Sequence, residues 1–119
     1  MNPSTLPAFQ RPPREPDIEA EISAVPTDQG GRRHPLFSGY RPNHDFRIEG
    51  ELNDAMHEYP DNGCIEPGCT GRAFLWLLSP ERQSKRLHEG FEFTVKEGSR
   101  IVGHGRITRV LNHDFKKIG

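Results

Sequence analysis

Alternating hydrophobic and polar residues predict that this chain is built from short β-strands. In residues 18–25 an apolar side chain occupies every second position, and the same alternation recurs over residues 44–49 and 91–95. A period of two puts one side chain in a core and the next in water, as in a half-buried strand. A weaker strand is expected over residues 51–58, and a return strand over residues 100–111.

The most apolar stretch, residues 72–78, predicts a strand at a central position. Its continuous hydrophobicity indicates burial on both faces, with Trp76 as a large packing element. Residues 59–71 are rich in glycine, proline and polar residues, so we expect a long loop there. Residues 81–88 are polar and allow at most a helical turn after Pro80.

Glycine and proline divide residues 30–46 into a turn, a short rigid crossing and a strand. Gly30 and Gly31 permit positive backbone angles and therefore a sharp turn. Pro35 and Pro42 fix their own backbone angles and favour extended neighbours, so the residues between them are not expected to form a helix.

A second turn is predicted at Gly98, between the last two strands, because glycine adopts the positive backbone angle that a tight hairpin requires. The chain then has about six short strands, no convincing amphipathic helix and no internal repeat. The expected fold is therefore all-β, a small closed antiparallel β-barrel.

Composition limits the size of this barrel. The chain has 119 residues, of which 32% are hydrophobic, enough for one small domain. Residues 1–16 contain five prolines and few core-forming side chains, so they are predicted to be a disordered or loosely attached tail. Deletion of residues 1–14 is expected to leave the thermal midpoint nearly unchanged. The barrel is expected over residues 17–112, followed by a C-terminal tail over residues 113–119.

Charge and targeting signals exclude several classes of protein. The net charge is -1, with an acidic start and a basic end, which argues against a protein coated throughout by a polyanion. No apolar run is long enough for a membrane span, and the start lacks the apolar core of a secretory signal. We expect a cytoplasmic protein in which Cys64 and Cys69 are reduced.

Two long motifs resemble the third, C-terminal β-barrel domain of bacterial elongation factor Tu. Residues 30–47 carry the pattern GGR-x-x-P-x-F-x-G-Y-R-P-x-x-x-F-R, and residues 90–105 closely follow its G-x-R-F-x-I-R-E-G-G-R-x-V-G-x-G hairpin. Residues 17–27, 65–68 and 77–80 match further parts of the domain in the same order. The resemblance covers about residues 17–112 and implies a six-stranded barrel of Greek-key type.

The resemblance also implies candidate contacts to the T stem of aminoacyl-tRNA, at the positions that are Asn43, Ser79 and Gly98 here. The basic residues around the two motifs have two interpretations: they form a phosphate-binding surface, which Arg106 and Arg109 could extend, or they are solvated barrel exteriors and internal ion pairs, as a net charge near zero favours. The complete candidate set for a partner or RNA is Arg32, Arg33, His34, Arg41, Asn43, Arg47, Ser79, Gly98 and Arg100.

No motif for catalysis or cofactor binding is recognisable. No glycine is followed by lysine, so the phosphate-binding loop of a GTPase is absent and no nucleotide or other cofactor is expected. Cys64 and Cys69 could form a metal site with His57 and Asp61, but their spacing is unusual for zinc, and two ordinary thiols are favoured. The histidines and serines form no recognisable triad.

The expected function is that of a non-enzymatic, stand-alone module that binds a protein or RNA partner, possibly in translation. One alternative is a tRNA-binding or RNA-binding accessory protein of translation. Another is a mimic of the elongation factor domain, which would compete for its partners or dock with its GTPase domain, as an inhibitor or immunity-type protein does.

Overall fold

The structure, a computed structural model, describes residues 9–115. Eight strands follow in the order β1 (Ile18–Ala24), β2 (Leu36–Phe37), β3 (Asn43–Asp45), β4 (Asn53–Glu58), β5 (Cys64–Ile65), β6 (Thr70–Leu77), β7 (Glu92–Glu97) and β8 (Arg100–Val110). Short 3-10 helices span Thr27–Gln29, Pro80–Gln83 and His113–Phe115. No helix in the described part of the chain is long and apolar enough to cross a membrane.

Six of these strands close into an antiparallel barrel in the order β1-β6-β4-β3-β7-β8, with β8 pairing back onto β1. This confirms the predicted all-β fold. The strands β2 and β5 form a separate two-stranded sheet, in which Leu36 pairs with Ile65. The segment between the two prolines is therefore partly strand, and a turn follows in which the Tyr40 amide donates to the Phe37 carbonyl.

The core fills the barrel with the inward-facing member of each alternating pair. Ile18, Ala20 and Ile22 of β1 are fully buried, whereas Glu21 between them is exposed. A close approach across the β7–β8 pair depends on Gly105, because a Cβ atom there would lie 2.2 Å from the ring of Phe93. The absent side chain lets the Phe93 ring lie flat against β8.

The predicted strand over residues 44–49 is shorter than expected. It ends at Asp45, because Arg47 adopts a positive φ of 65° and its amide donates to the Asp45 carboxylate. A side-chain acceptor two residues upstream offers the backbone an alternative to the sheet ladder. Phe46 is nevertheless fully buried, so the alternation correctly marked a core residue.

Trp76 packs on the outside of the barrel rather than in its core. Its neighbours Leu75 and Leu77 face the core cluster, so Trp76 faces outward, yet it is only 2% exposed. Residues 9–16, which we call the strap, cover it. The disordered or loosely attached tail over residues 1–16 stays a prediction, and its first eight positions lie outside the described residues.

Candidate functional site

One end of the barrel collects most of the sequence-predicted binding residues. We call it the hairpin end; it consists of residues 30–34, residues 40–43 and the β7–β8 turn over residues 96–100. Arg100 ties two of these segments together, because its guanidinium donates to the carbonyl oxygens of Gly30 at 2.9 Å and Gly31 at 2.6 Å. Arg100 therefore ties these segments together, although the residue stays exposed and the two carbonyl oxygens do not neutralise its charge.

A second cluster at the hairpin end joins all three segments. The hydroxyl of Tyr40 donates to the Glu97 carboxylate, and the guanidinium of Arg32 lies 4.7 Å from the centre of the Tyr40 ring. Arg32 also pairs with Glu97 at 3.6 Å. Burial, followed by the hydrogen bond to Glu97, raises the pKa of Tyr40, so the phenol stays protonated and continues to donate. Arg32, like Arg100, serves mainly to hold the site together.

Three basic side chains are left facing solvent. Arg33, His34 and Arg41 are exposed, and none of them makes a hydrogen bond or ion pair with the rest of the described chain. Arg33 follows Arg32 directly and Arg41 follows Tyr40, and Arg32 and Tyr40 are in side-chain contact. The hairpin end thus combines an ordered scaffold with exposed basic side chains.

The positions suggested by the resemblance are occupied internally. The Gly98 amide donates to the side-chain oxygen of Asn43 at 3.3 Å, and the Asn43 amide group donates to the Asp54 carboxylate at 2.5 Å. Ser79 lies on the far side of β4, where Leu78 pairs with Asp54 and the Ser79 carbonyl accepts from Arg82. The Asp54 carboxylate thus lies between Asn43 and Leu78, the neighbour of Ser79, and repels a phosphate there.

The remaining arginines lie elsewhere on the barrel. Arg47 stacks over Phe91 with its guanidinium 4.3 Å from the ring centre, beside the opposite end of β7. Arg106 and Arg109 follow Arg100 along β8, and at about 3.3 Å per residue they lie roughly 20 and 30 Å from it. Arg109 is also paired with Glu19 at 3.1 Å. Arg106 and Arg109 therefore lie away from the basic residues of the hairpin end.

An open cleft of about 580 Å³ joins the hairpin end to the β3–β4 loop. Its lining includes Arg47, Glu51 and Lys96 together with the backbone of Gly98. Charges of both signs face this cleft, and Glu51 is paired with Arg82 at 2.6 Å. The cleft therefore carries no single-sign field that would select an anion or a cation on its own.

The barrel interior contains a polar chain that sequence reasoning missed. His44 and His57, both fully buried, approach each other with 2.7 Å between their Nε2 atoms. His44 Nδ1 lies 2.9 Å from the Asn53 carbonyl oxygen, and His57 Nδ1 lies 2.8 Å from the Tyr59 hydroxyl. The only sequence signal was that both histidines occupy inward positions of alternating strands.

The proton positions along these hydrogen bonds follow from the Asn53 carbonyl oxygen, the acceptor at one end. A carbonyl only accepts, so His44 carries its proton on Nδ1 and leaves Nε2 free to accept. His57 then donates from Nε2 and accepts from the Tyr59 hydroxyl on Nδ1. Burial lowers the pKa of His44 to about 4 and holds the pKa of His57 well below 6.5. Both rings are neutral, and both nitrogens of His57 are occupied.

This occupancy also bears on the metal site considered from the sequence. His57 has no nitrogen left for a metal, although Cys64, Cys69 and Asp61 line one cleft of about 410 Å³. Within residues 9–115, no group of three or more His, Cys, Asp or Glu side chains is placed to hold a metal ion. Both thiols are free, and Cys69 is exposed.

No protein-family model matches the chain. The fold and the site define a small antiparallel β-barrel with an ordered, partly basic end. The resemblance to the third domain of elongation factor Tu stays a prediction from the two motifs.

Proposed function

We propose that this chain is a non-enzymatic binding module, resembling the C-terminal domain of elongation factor Tu, that binds RNA through phosphate contacts at its hairpin end. The observation that carries the proposal is that Arg33, His34 and Arg41 are exposed on backbone segments that Arg32 and Arg100 hold in place. Exposed arginines on an ordered scaffold contact phosphates without first having to break internal pairs.

The proposed mode differs from the T-stem contacts implied by the resemblance. The Gly98 amide and the Asn43 side chain already bond to each other, and Asp54 lies beside them. We therefore assign the phosphate contacts to Arg33 and Arg41. Such contacts fix position without reading bases, so different RNA sequences are expected to bind with similar affinity.

The test is binding of bulk tRNA to wild type and to the double variant Arg33→Ala/Arg41→Ala across a salt series. Each lost phosphate contact lowers the slope of log K against log salt by about one, so the double variant is expected to lose about two. The matched control is Arg106→Ala/Arg109→Ala, which removes the same charge from a distant part of β8. It is expected to keep the wild-type slope.

A second candidate function, binding of a protein partner, is favoured by a different observation. Glu97 lies among the cations, and Ile101 next to Arg100 is 42% exposed. A mixed-charge surface with an exposed aliphatic residue suits a protein better than a polyanion. Absence of tRNA binding even at low salt, where the electrostatic attraction is largest, would eliminate the RNA proposal and leave this one. Pull-downs with and without nuclease then separate the two partner classes directly.

A further inference from the structure

Trp76 lies on a barrel surface that the protein covers with its own proline-rich segment. Beside Trp76 on the outer face of β6 lies Phe74, and the paired strand β4 contributes Glu58, which lies opposite Phe74. We call this surface, Phe74, Trp76 and Glu58, the aromatic face. Large aromatic side chains that face outward from a barrel need a cover, because an apolar patch left open on a soluble protein is a binding surface.

The strap binds the aromatic face through side chains and one carbonyl group. The ring of Phe9 lies 6.4 Å from that of Trp76, and the Arg11 guanidinium lies over both aromatic rings of the face. Arg11 also pairs with Glu58 at 3.0 Å. The indole N–H of Trp76 donates to the carbonyl oxygen of Arg14 at 2.8 Å.

Two of these contacts, the indole donor to a peptide carbonyl and the carboxylate paired with an arginine, are also used by aromatic grooves that bind proline-rich peptides. The strap contains Pro12, Pro13 and Pro16, which favour the extended polyproline II conformation. Recognition of such peptides combines aromatic rings that pack on prolines, a donor to a peptide carbonyl and a carboxylate for a flanking arginine. The aromatic face supplies all three.

The strap is also held in a way that permits exchange. Within the described chain, the Arg14 carbonyl is the only backbone group of the strap that hydrogen-bonds to the barrel, so the strap is not a strand of the sheet. The side chains of Arg11 and Arg14 remain 50% and 45% exposed. A peptide of similar composition from another polypeptide can make the same contacts.

We infer that the aromatic face is a binding site for a proline-rich, arginine-bearing peptide segment of a partner protein, and that the strap is its built-in competitor. A short tether gives the strap a millimolar effective concentration, so a free peptide binds the intact protein only weakly. The site becomes available to a partner when the strap is weakened or when the partner peptide binds more tightly than the strap does.

The chain offers a direct probe, because Trp76 is its single tryptophan. The variant Phe9→Ser/Arg11→Ser removes the two strap side chains that cover the indole and leaves the barrel unchanged. Its tryptophan emission is expected to shift to longer wavelength, toward that of a hydrated indole. A synthetic peptide with the wild-type sequence of residues 9–16 is expected to restore the wild-type emission of this variant saturably. Fluorescence anisotropy of the labelled peptide is expected to show at least about 100-fold weaker binding to wild type, because the tethered strap competes.

Charge reversal distinguishes specific from adventitious binding. A peptide carrying Arg11→Glu is expected to fail on the weakened variant and to bind once Glu58→Arg is added to that variant. Equal binding of the two peptides, or unchanged emission in the weakened variant, would overturn the inference. Circular dichroism and the thermal midpoint check that the variant is folded; if it is not, displacement of the strap in wild type by millimolar labelled peptide, followed by anisotropy, decides instead.

Discussion

Acid is expected to destabilise this protein through the buried pair of histidines. In the folded state His44 and His57 are neutral, and their ring nitrogens are all engaged between the Asn53 carbonyl and the Tyr59 hydroxyl. Burial holds both pKa values below the ordinary value of 6.5. Below pH 6.5 the unfolded chain therefore binds protons that the folded chain does not bind. The free energy of unfolding falls as the pH falls through this range, and the contribution of the two histidines is complete above it.

The size of this loss in unfolding free energy follows from the pKa of the histidines in the unfolded state alone. At pH 5 an imidazole with a pKa of about 6.5 favours unfolding by about 2 kcal/mol when its folded counterpart stays neutral. Two such rings give about 4 kcal/mol relative to pH 7.5, a large share of a small domain's stability. The folded protein could take up one proton if the hydrogen bonds from His44 to His57 and from His57 to Tyr59 reversed direction, at the cost of a charge in the apolar core. A second proton could not be accommodated, so about 2 kcal/mol is the lower bound.

The assay is urea unfolding between pH 5 and pH 7.5, comparing wild type with the variant His44→Leu/His57→Leu/Tyr59→Phe. Removing the hydroxyl with the rings avoids leaving Tyr59 without its acceptor. The difference in unfolding free energy between the two proteins should change by about 2 to 4 kcal/mol over this range. The control His104→Asn removes an exposed ring and should leave the pH dependence unchanged. A change below about 1 kcal/mol would refute the argument.

Two further predictions concern stability. Gly31→Ala should cost about 3 kcal/mol in a denaturation experiment, because its Cβ would lie 1.9 Å from the Val25 carbonyl oxygen, whereas Gly30→Ala has open space and should cost about 1 kcal/mol for its positive φ. Equal costs would contradict the close approach. Deletion of residues 1–14 should lower the thermal midpoint by about 10 °C, since Arg14 bonds to the buried Asp17 carboxylate, and an unchanged midpoint would restore the original prediction of a dispensable tail.

The barrel and its core are predictable from local patterns in the sequence. Strict alternation in residues such as Ile18, Ala20 and Ile22 predicts a strand with one buried face, and glycine at position 98 predicts a tight hairpin. These signals are local, because the period of a strand and the φ of a turn depend on neighbouring residues. The same alternation placed Phe46 in the core, although the strand itself ended one residue earlier.

What covers Trp76, and which cations stay free, was decided only by the tertiary structure. An apolar run predicts that both faces of a strand are buried but does not say which segment buries the outer one; here it is a proline-rich strap more than 60 positions away. The sequence does not distinguish one arginine from another, yet Arg100 donates to two carbonyl groups, whereas Arg33 makes no hydrogen bond within the described residues. The pairing of His44 with His57 is likewise set by strand register, because only the closed barrel brings two inward positions of neighbouring strands within hydrogen-bonding distance.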